Sequence, residues 1–285
     1  MLADALDLLV CPACGSDLDL EERTVLCQRG HSFDVARQGY VSLLAGAATK
    51  LTGDSADMIT ARGEFLDAGH FDPIATAVAA AVGEDSDLGN PRILEIGAGT
   101  GHYLARSVDM FEDAVGLGVD ISKAAARRTA RAHPRVASIV ADAWQNLPVR
   151  TGSCTHALSI FSPRNPDEIR RILCADGSFV VVTPTQRHLG ELIEPLGMVR
   201  VDDDKTRRLG ESMAGRFDRV DRHAVDFTME LDVAAIAAVV GMGPTARHLT
   251  PEQRSERIAT LPTPTTVTAS VVVATYRPRL AMTSA

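Results

Sequence analysis

From residue 91 onward, short apolar runs alternate with segments in which apolar residues recur every three or four positions. Runs such as "RILEIG" and "AVGLGVD" predict buried strands, and the segment "SKAAARRTARAH", which opens with Ser122, predicts a helix over residues 122–133. Further helices are predicted at 102–113 and 165–175, and further strands at 135–142, 154–161 and 178–184. Strands that alternate with helices favour a parallel sheet covered on both faces.

The pattern changes near the end of the chain. Two longer runs of β-forming residues, 223–231 and 266–276, flank an apolar helical segment at 232–240. We therefore expect an edge hairpin that closes the sheet.

Before residue 91 the pattern is helical. One helix is predicted over residues 55–71, with Ser55 as its N-cap, and a second over 72–85, with Pro73 in its first turn. The small-residue stretch "AGAATKLTGDSAD" at 45–57 indicates a linker. The expected organisation is an N-terminal module at residues 1–48, a helical linker at 49–90 and an α/β domain at 91–285.

The amino-acid composition limits which classes of function the protein can have. The 285 residues are 45% apolar and 23% charged, which is typical of a globular protein, and no apolar run is long enough to span a bilayer. Asp4 and Asp7 stand where a secretory signal would carry basic residues, so we expect a cytoplasmic protein with reduced thiols. The net charge of −8 argues against a broad electrostatic hold on nucleic acid, although a local basic patch remains compatible with it.

Three of the five cysteines lie near the N-terminus with a metal-ligand spacing. Cys11 and Cys14 form a Cys-x2-Cys pair, and Cys27 with His31 forms a Cys-x3-His pair twelve residues later. Short strands at "TVLC" and "HSFDV" would complete a ribbon around one structural zinc ion, whose binding would stabilise a module too small to fold alone. The alternative is that three buried cysteines and a surface histidine are unrelated.

The first predicted strand runs directly into a glycine-rich loop. Glu95 precedes it, and the loop contains Gly97, Gly99, Thr100 and Gly101 before a predicted helix. A second strand ends at Asp120, placed to accept hydrogen bonds from ribose hydroxyls, and a third ends at Asp142, near an adenine edge. With no pyrophosphate-type G-x-G-x-x-G, this pattern favours S-adenosylmethionine and a class I (Rossmann-like) methyltransferase.

The N-terminal module and the α/β domain together indicate a narrower class of methyltransferase. A Cys-x2-Cys…Cys-x3-His module that runs into "SFDVARQGYVSLL", followed by "GDSADMITAR", "FLDAGHF" and this core, resembles the RlmA-type 23S rRNA (guanine-N1)-methyltransferases. The segments "FSPRNPDEIRRIL" and "VVTPTQRHLGEL" are most similar to the tylosin-resistance, TlrB-like branch. The resemblance extends from about residue 8 to the last predicted strand.

The resemblance implies a substrate and partners. It implies methyl transfer from S-adenosylmethionine to N1 of guanine 748, or the nearby 745, in hairpin 35 of domain II of 23S rRNA, with a contribution to tylosin-type macrolide resistance. It also implies a homodimer whose zinc modules help to form the RNA-binding cleft. Exposed Arg23, Arg29 and Arg37 in or beside the module are our candidate phosphate contacts.

The resemblance also implies cofactor contacts at Phe71, at Gly99 with Thr100, and at His188. Many members have tyrosine in place of Phe71, so any phenolic hydrogen bond would be missing here, although ring packing would remain. The complete expected cofactor set is Phe71, Gly97, Gly99, Thr100, Gly101, Asp120, Asp142 and His188.

The sequence does not identify the catalytic residues. Guanine N1 is protonated at neutral pH, so its methylation needs a base or a hydrogen-bond acceptor. The polar residues near the expected strand ends are Asp142, His188, Ser162, Arg164 and Asn165. Two other classes stay open: a small-molecule methyltransferase with a zinc lid, and a binding protein that has lost catalysis.

Overall fold

The computed structural model describes residues 2–44, 52–84, 89–200 and 205–279. Most of the predicted linker, residues 45–51, lies outside these ranges. The N-terminal part begins with a 3-10 helix at Ala3–Leu8 and continues into a three-stranded antiparallel sheet. Its strands are β1 (Leu18–Glu21), β2 (Thr24–Cys27) and β3 (Ser32–Asp34). The predictions at "TVLC" and "HSFDV" are confirmed.

A second, eight-stranded sheet forms the centre of the molecule. Its strands are β4 (Val41–Ser42), β5 (Arg92–Ile96), β6 (Val115–Asp120), β7 (Val136–Val140), β8 (Cys154–Ile160), β9 (Leu173–Pro184), β10 (Phe217–Leu231) and β11 (Thr265–Pro278). The spatial order is β10-β11-β9-β8-β5-β6-β7-β4. Strands β4 to β9 are mutually parallel, and β11 is antiparallel to both β9 and β10. The expected parallel sheet with an antiparallel edge hairpin is confirmed.

Nine α-helices lie in the described ranges, and none of them is long and apolar enough to cross a membrane. They are α1 (Ala56–Asp67), α2 (Asp72–Gly83), α3 (His102–Val108), α4 (Lys123–Thr129), α5 (Pro166–Ile172), α6 (Gly190–Leu196), α7 (Lys205–Met213), α8 (Val233–Gly241) and α9 (Pro251–Ile258). The predicted cap at Ser55 is confirmed, because its hydroxyl accepts a hydrogen bond from the Met58 amide at 3.2 Å.

Several predicted helix ends were wrong. The helix predicted at 165–175 ends at Ile172, because Leu173 turns to extended backbone and pairs with Cys154 in the sheet. The helix predicted at 102–113 ends at Val108, and that predicted at 122–133 ends at Thr129. Helices α6, α7 and α9 and strands β1 and β4 were not predicted.

The N-terminal ribbon packs directly on the large sheet. Leu18 and Val25 of the ribbon belong to the same buried hydrophobic cluster as Leu94 and Ile96 of β5. Ion pairs at the boundary join Asp7 to Arg92 at 3.0 Å and Asp17 to Arg150 at 2.8 Å. Strand β4, just after the ribbon, pairs with β7. The three-part division of the chain stays a prediction, and the ribbon shares core with the sheet.

Candidate functional site

The four predicted metal ligands come together in the ribbon. Their ligand atoms all lie within 4.8 Å of one another. Cys14 Sγ is 3.7 Å from Cys27 Sγ, and His31 Nδ1 is 3.3 Å from Cys27 Sγ and 3.6 Å from Cys11 Sγ. A tetrahedral zinc ion with ordinary bond lengths requires about 3.8 Å between sulfurs and about 3.6 Å between sulfur and nitrogen. The cluster therefore fits zinc with four protein ligands, and its role is structural.

Two tight turns place these ligands. The Gly15 amide donates to the Cys11 carbonyl at 2.8 Å, and the Gly30 amide donates to the Cys27 carbonyl at 2.9 Å. Both glycines have left-handed φ values, 73° and 83°, which disfavour other residues. Hydrogen bonds with Ser16 lower the pKa of the Cys14 thiol to about 6, which favours the thiolate that a metal requires.

A cavity of about 970 Å³ opens at the carboxyl ends of the parallel strands. Seven of the eight predicted cofactor residues line it: Phe71, Gly97, Gly99, Thr100, Asp120, Asp142 and His188. The exception is Gly101, which caps α3 with a φ of 77°. A Cβ atom at Gly101 would lie 2.9 Å from Ala132 Cβ, so close helix packing accounts for this glycine.

Asp120, at the end of β6, holds the glycine loop in place. One carboxylate oxygen accepts a hydrogen bond from the Gly99 amide at 3.0 Å, and the other accepts from the Ser122 amide at 2.8 Å. Burial raises the pKa of Asp120. Each oxygen has a second lone pair, so the side chain retains acceptor capacity toward the cavity.

Glu95 is the acid just before the loop, and it is only 1% exposed. It accepts a hydrogen bond from the Leu104 amide at 3.1 Å, which ties β5 to the start of α3. Burial raises its pKa well above the usual range. Asp142, at the end of β7, accepts hydrogen bonds from the Trp144 amide at 2.9 Å and the Gln145 side chain at 3.3 Å.

The other side of the cavity is aromatic. The His188 ring lies 5.6 Å from the Phe71 ring and stacks on the Phe161 ring at 5.6 Å with an interplanar angle of 25°. Phe71 is 2% exposed, so it serves both as core and as cavity wall.

The protonation of His188 follows from its surroundings. Burial lowers its pKa to about 4, so the ring is neutral at pH 7. The Ser270 amide donates to Nδ1 at 3.2 Å, and the ring proton is therefore on Nε2. In this tautomer Nε2 of His188, a residue that lines the cavity, is a hydrogen-bond donor.

Two of the remaining base candidates, Ser162 and Asn165, have structural partners. The Ser162 hydroxyl donates to the Ile96 carbonyl at 2.6 Å, and Asn165 caps α5. Arg164 is a cation whose Nη1 atom is buried without a hydrogen-bond partner in the described part of the chain. We assign no catalytic base.

Sequence reasoning missed Arg62, which lies across the glycine loop. Its Nη2 atom contacts Asp54 at 2.7 Å and the Met242 carbonyl at 3.0 Å. Its Nη1 atom lies only 2.8 Å from where a Cβ on Gly99 would stand. Both Arg62 and Asp54 line the cavity. Arg62 on α1 and Asp54 before it do not form a recognisable sequence motif. The only sequence feature that contains them is the family-like segment "GDSADMITAR".

Two family models match the chain: the RlmA N-terminal zinc ribbon over residues 9–47 and a methyltransferase domain over 93–177. Fold and cavity therefore define a class I methyltransferase that uses S-adenosylmethionine and carries a zinc ribbon. A Streptomyces fradiae protein named 23S rRNA (guanine(748)-N(1))-methyltransferase is 48% identical over 95% of this chain and 96% of its own length. The chain belongs to the RlmA-type 23S rRNA (guanine-N1)-methyltransferase family.

The chain is also similar to a second curated relative and, more loosely, to solved structures. A Micromonospora griseorubida relative is 43% identical over 98% of this chain and 100% of its own length, and its name proposes a 23S rRNA (guanine-N1)-methyltransferase. Among solved structures, the [4+2]-cyclase SpnF is 19% identical with a TM-score of 0.48, covering 72% of this chain and 81% of that chain. The strand order, not this looser likeness, defines the fold.

Proposed function

We propose that this protein transfers a methyl group from S-adenosylmethionine to N1 of a guanine in 23S rRNA. The observation that carries the proposal is the 48% identity to the Streptomyces fradiae enzyme, which covers the ribbon and the cavity alike. By the same likeness we propose guanine 748, in the domain II hairpin, as the target, with a contribution to tylosin-type resistance. We also propose a homodimer that works in the cytoplasm, where its substrate is made.

The lining of the cavity fits the cofactor part by part. We propose that Asp120 accepts hydrogen bonds from the ribose hydroxyls and that Asp142 faces the adenine edge. Arg62 is the cation that lies against Gly99, and we propose it as the partner of the methionine carboxylate. The Nε2 proton of His188 supplies a further donor. Phe71 and the glycine loop provide wall contacts.

When bound, S-adenosylmethionine supplies an electrophilic methyl group on a sulfonium. The protein's main task is to hold guanine N1 in line with that methyl group and to keep water away. The buried Phe71 ring in the cavity wall helps to exclude water. N1 must also lose its proton, and a donor near O6 would stabilise the resulting anion. The zinc ion, held by Cys11, Cys14, Cys27 and His31, takes no part in the chemistry.

The test is methyl transfer by the purified protein. Incubation with labelled S-adenosylmethionine and a transcript of the domain II hairpin should give one methylated guanine, with the label at N1 by mass spectrometry. A hairpin with inosine at the target position keeps N1 and O6 and should still accept the methyl group. A hairpin with adenosine there should not. Label on another atom, or none on any 23S fragment, would refute the proposal.

The net charge of −8 favours a second candidate, a methyltransferase of a small molecule with the ribbon as a lid. That protein would have no affinity for the hairpin. Hairpin binding would exclude this small-molecule candidate if the affinity falls with salt concentration by the slope expected for a few phosphate contacts.

A further inference from the structure

The sheet order divides the cavity into two sides. Asp120 and Asp142 follow β6 and β7, whereas Phe161 follows β8 and His188 lies just beyond β9. Strand β5, with the glycine loop, stands between them. Neighbouring strands are about 4.8 Å apart, so the end of β8 is roughly 14 Å from the end of β7. If the adenosine occupies the acidic side, the β8–β9 side, where His188 offers the cofactor one donor, is left for the acceptor of the methyl group.

Phe161, on the acceptor side, has two features that do not favour folding. Its side chain is 38% exposed, although phenylalanine is ordinarily buried. Its φ is +52°, a left-handed conformation that is unfavourable for any residue with a Cβ atom. Backbone strain of this kind persists only where the surroundings enforce it, and it concentrates at functional sites.

The surroundings of Phe161 do enforce it. Its amide donates to the Val182 carbonyl at 3.2 Å, and the next residue, Ser162, is buried against the glycine loop. The Ser162 hydroxyl donates to the Ile96 carbonyl at 2.6 Å, and its Cβ atom lies 2.6 Å from where a Cβ on Gly97 would stand. The loop that follows β8 is thus fixed to the loop that follows β5.

The result is a fixed aromatic surface at the cavity. The Phe161 ring stacks on His188, which supports it from the protein side, and it lies 6.3 Å from the Phe71 ring. With Phe161 38% exposed, part of the ring is open to solvent. A flat base that leaves its stack in RNA is commonly held by stacking on such a ring.

We propose that the Phe161 ring is the stacking surface for the target guanine, held beside the methyl donor by the strained turn. This inference rests on the proposed function for the identity of the base. A base–aromatic stack is worth about five- to a hundredfold in affinity. The strain is then the cost of presenting the ring next to the glycine loop.

The first test separates strain from stacking with a matched pair of variants. Phe161→Ala and Phe161→Gly both remove the ring, but only glycine accepts the left-handed φ without strain. We expect Phe161→Gly to melt a few degrees above Phe161→Ala, and both to bind the hairpin at least fivefold more weakly than wild type. Affinity for S-adenosylmethionine should change by less than threefold. Equal melting temperatures, or unchanged hairpin affinity, would overturn the proposal.

The second test asks whether the ring contacts the target base itself. Hairpins with the intact guanine and with an abasic site at that position are compared for wild type, Phe161→Leu and Trp144→Leu, with S-adenosylhomocysteine present. Trp144 is a matched control, since it is an exposed aromatic residue (55%) that lines the same cavity beyond β7. We expect wild type and Trp144→Leu to prefer the intact hairpin and Phe161→Leu to lose most of that preference.

The outcomes also distinguish this inference from the proposed function. A wild type that methylates the hairpin but binds intact and abasic hairpins equally would contradict the stacking role alone. A wild type that discriminates through Phe161 but places no methyl group on N1 would contradict the proposed function alone. Loss of the preference in Trp144→Leu instead of Phe161→Leu would move the base to the other side of the cavity and overturn the inference.

Discussion

The ribbon and the cavity are built in opposite ways. All four metal ligands of the ribbon come from 21 consecutive residues, Cys11 to His31, and two local turns bring them together. The cavity collects Asp54, the glycine loop, Asp120, His188 and Met242 from segments spread over most of the chain. The ribbon site therefore depends on the metal to hold a short stretch together. The cavity depends on the sheet to align distant strand ends.

That contrast predicts that zinc removal has the largest effect. A structural zinc contributes about 10–16 kcal/mol of binding free energy in small zinc modules, so chelation or Cys14→Ser should unfold the ribbon. We expect hairpin methylation to fall at least a hundredfold. Because Leu18 and Val25 share a hydrophobic cluster with Leu94 and Ile96, the melting temperature of the remainder should also fall.

Affinity for S-adenosylmethionine, measured by calorimetry below that melting temperature, should change far less. Protein purified without chelator should contain one zinc per chain by elemental analysis. Zinc-free protein with full hairpin methylation would show that the two regions are not divided as we describe.

Next in size is the effect of changing Asp120. Removal of a charged acceptor from a ribose hydroxyl costs about 1.5–3 kcal/mol, or about ten- to a hundredfold in cofactor affinity. Asp120→Ala should lose more than Asp120→Asn, because the amide oxygen still accepts from the Gly99 or Ser122 amide. Calorimetry with S-adenosylmethionine measures both, and a wild-type dissociation constant in Asp120→Ala would remove this residue from the site.

A smaller and more selective effect is expected at Arg62. If its guanidinium holds the methionine carboxylate, Arg62→Met should weaken S-adenosylmethionine by about tenfold. Binding of 5′-methylthioadenosine, which lacks that carboxylate, should not change. Arg247→Met is the control, because Arg247 also lines the cavity and contacts Asp54, at 3.3 Å. Equal losses for the two ligands in Arg62→Met would mean that Arg62 acts only by supporting Asp54 and Met242.

The smallest effect concerns the surface of the ribbon. Arg29 and Arg37 are exposed, with acidic Asp19 and Glu22 nearby, so we expect single phosphate contacts in place of a basic face. The double change Arg29→Ala with Arg37→Ala should lower the salt slope of hairpin binding by somewhat less than one unit for each contact. Cofactor affinity should stay at the wild-type value. If the salt dependence is identical to that of the wild type, both arginines are solvent-exposed residues that do not contact the RNA.

The same contrast explains what the sequence could predict. The zinc ligands and the strand ends at Asp120 and Asp142 were predictable, because short spacings and strand–loop order determine them. Arg62 was not, because its contacts with Asp54 and Met242 depend on how α1 packs beside α8. The backbone strain at Phe161 was also beyond prediction, since it arises where Ser162 packs against Gly97. The end of α5 at Ile172 was predicted wrongly, because strand pairing in the sheet overrode the helical spacing of the sequence.

Primer extension on 23S rRNA tests the central claim most directly, since a methyl group on guanine N1 blocks base pairing and stops reverse transcriptase. RNA from cells that carry the gene should give a stop at a single guanine of the domain II hairpin. RNA from cells without the gene, or with the Asp120→Ala variant in its place, should give little or none. Read-through at every guanine of that hairpin in cells that express the wild-type protein would contradict the account.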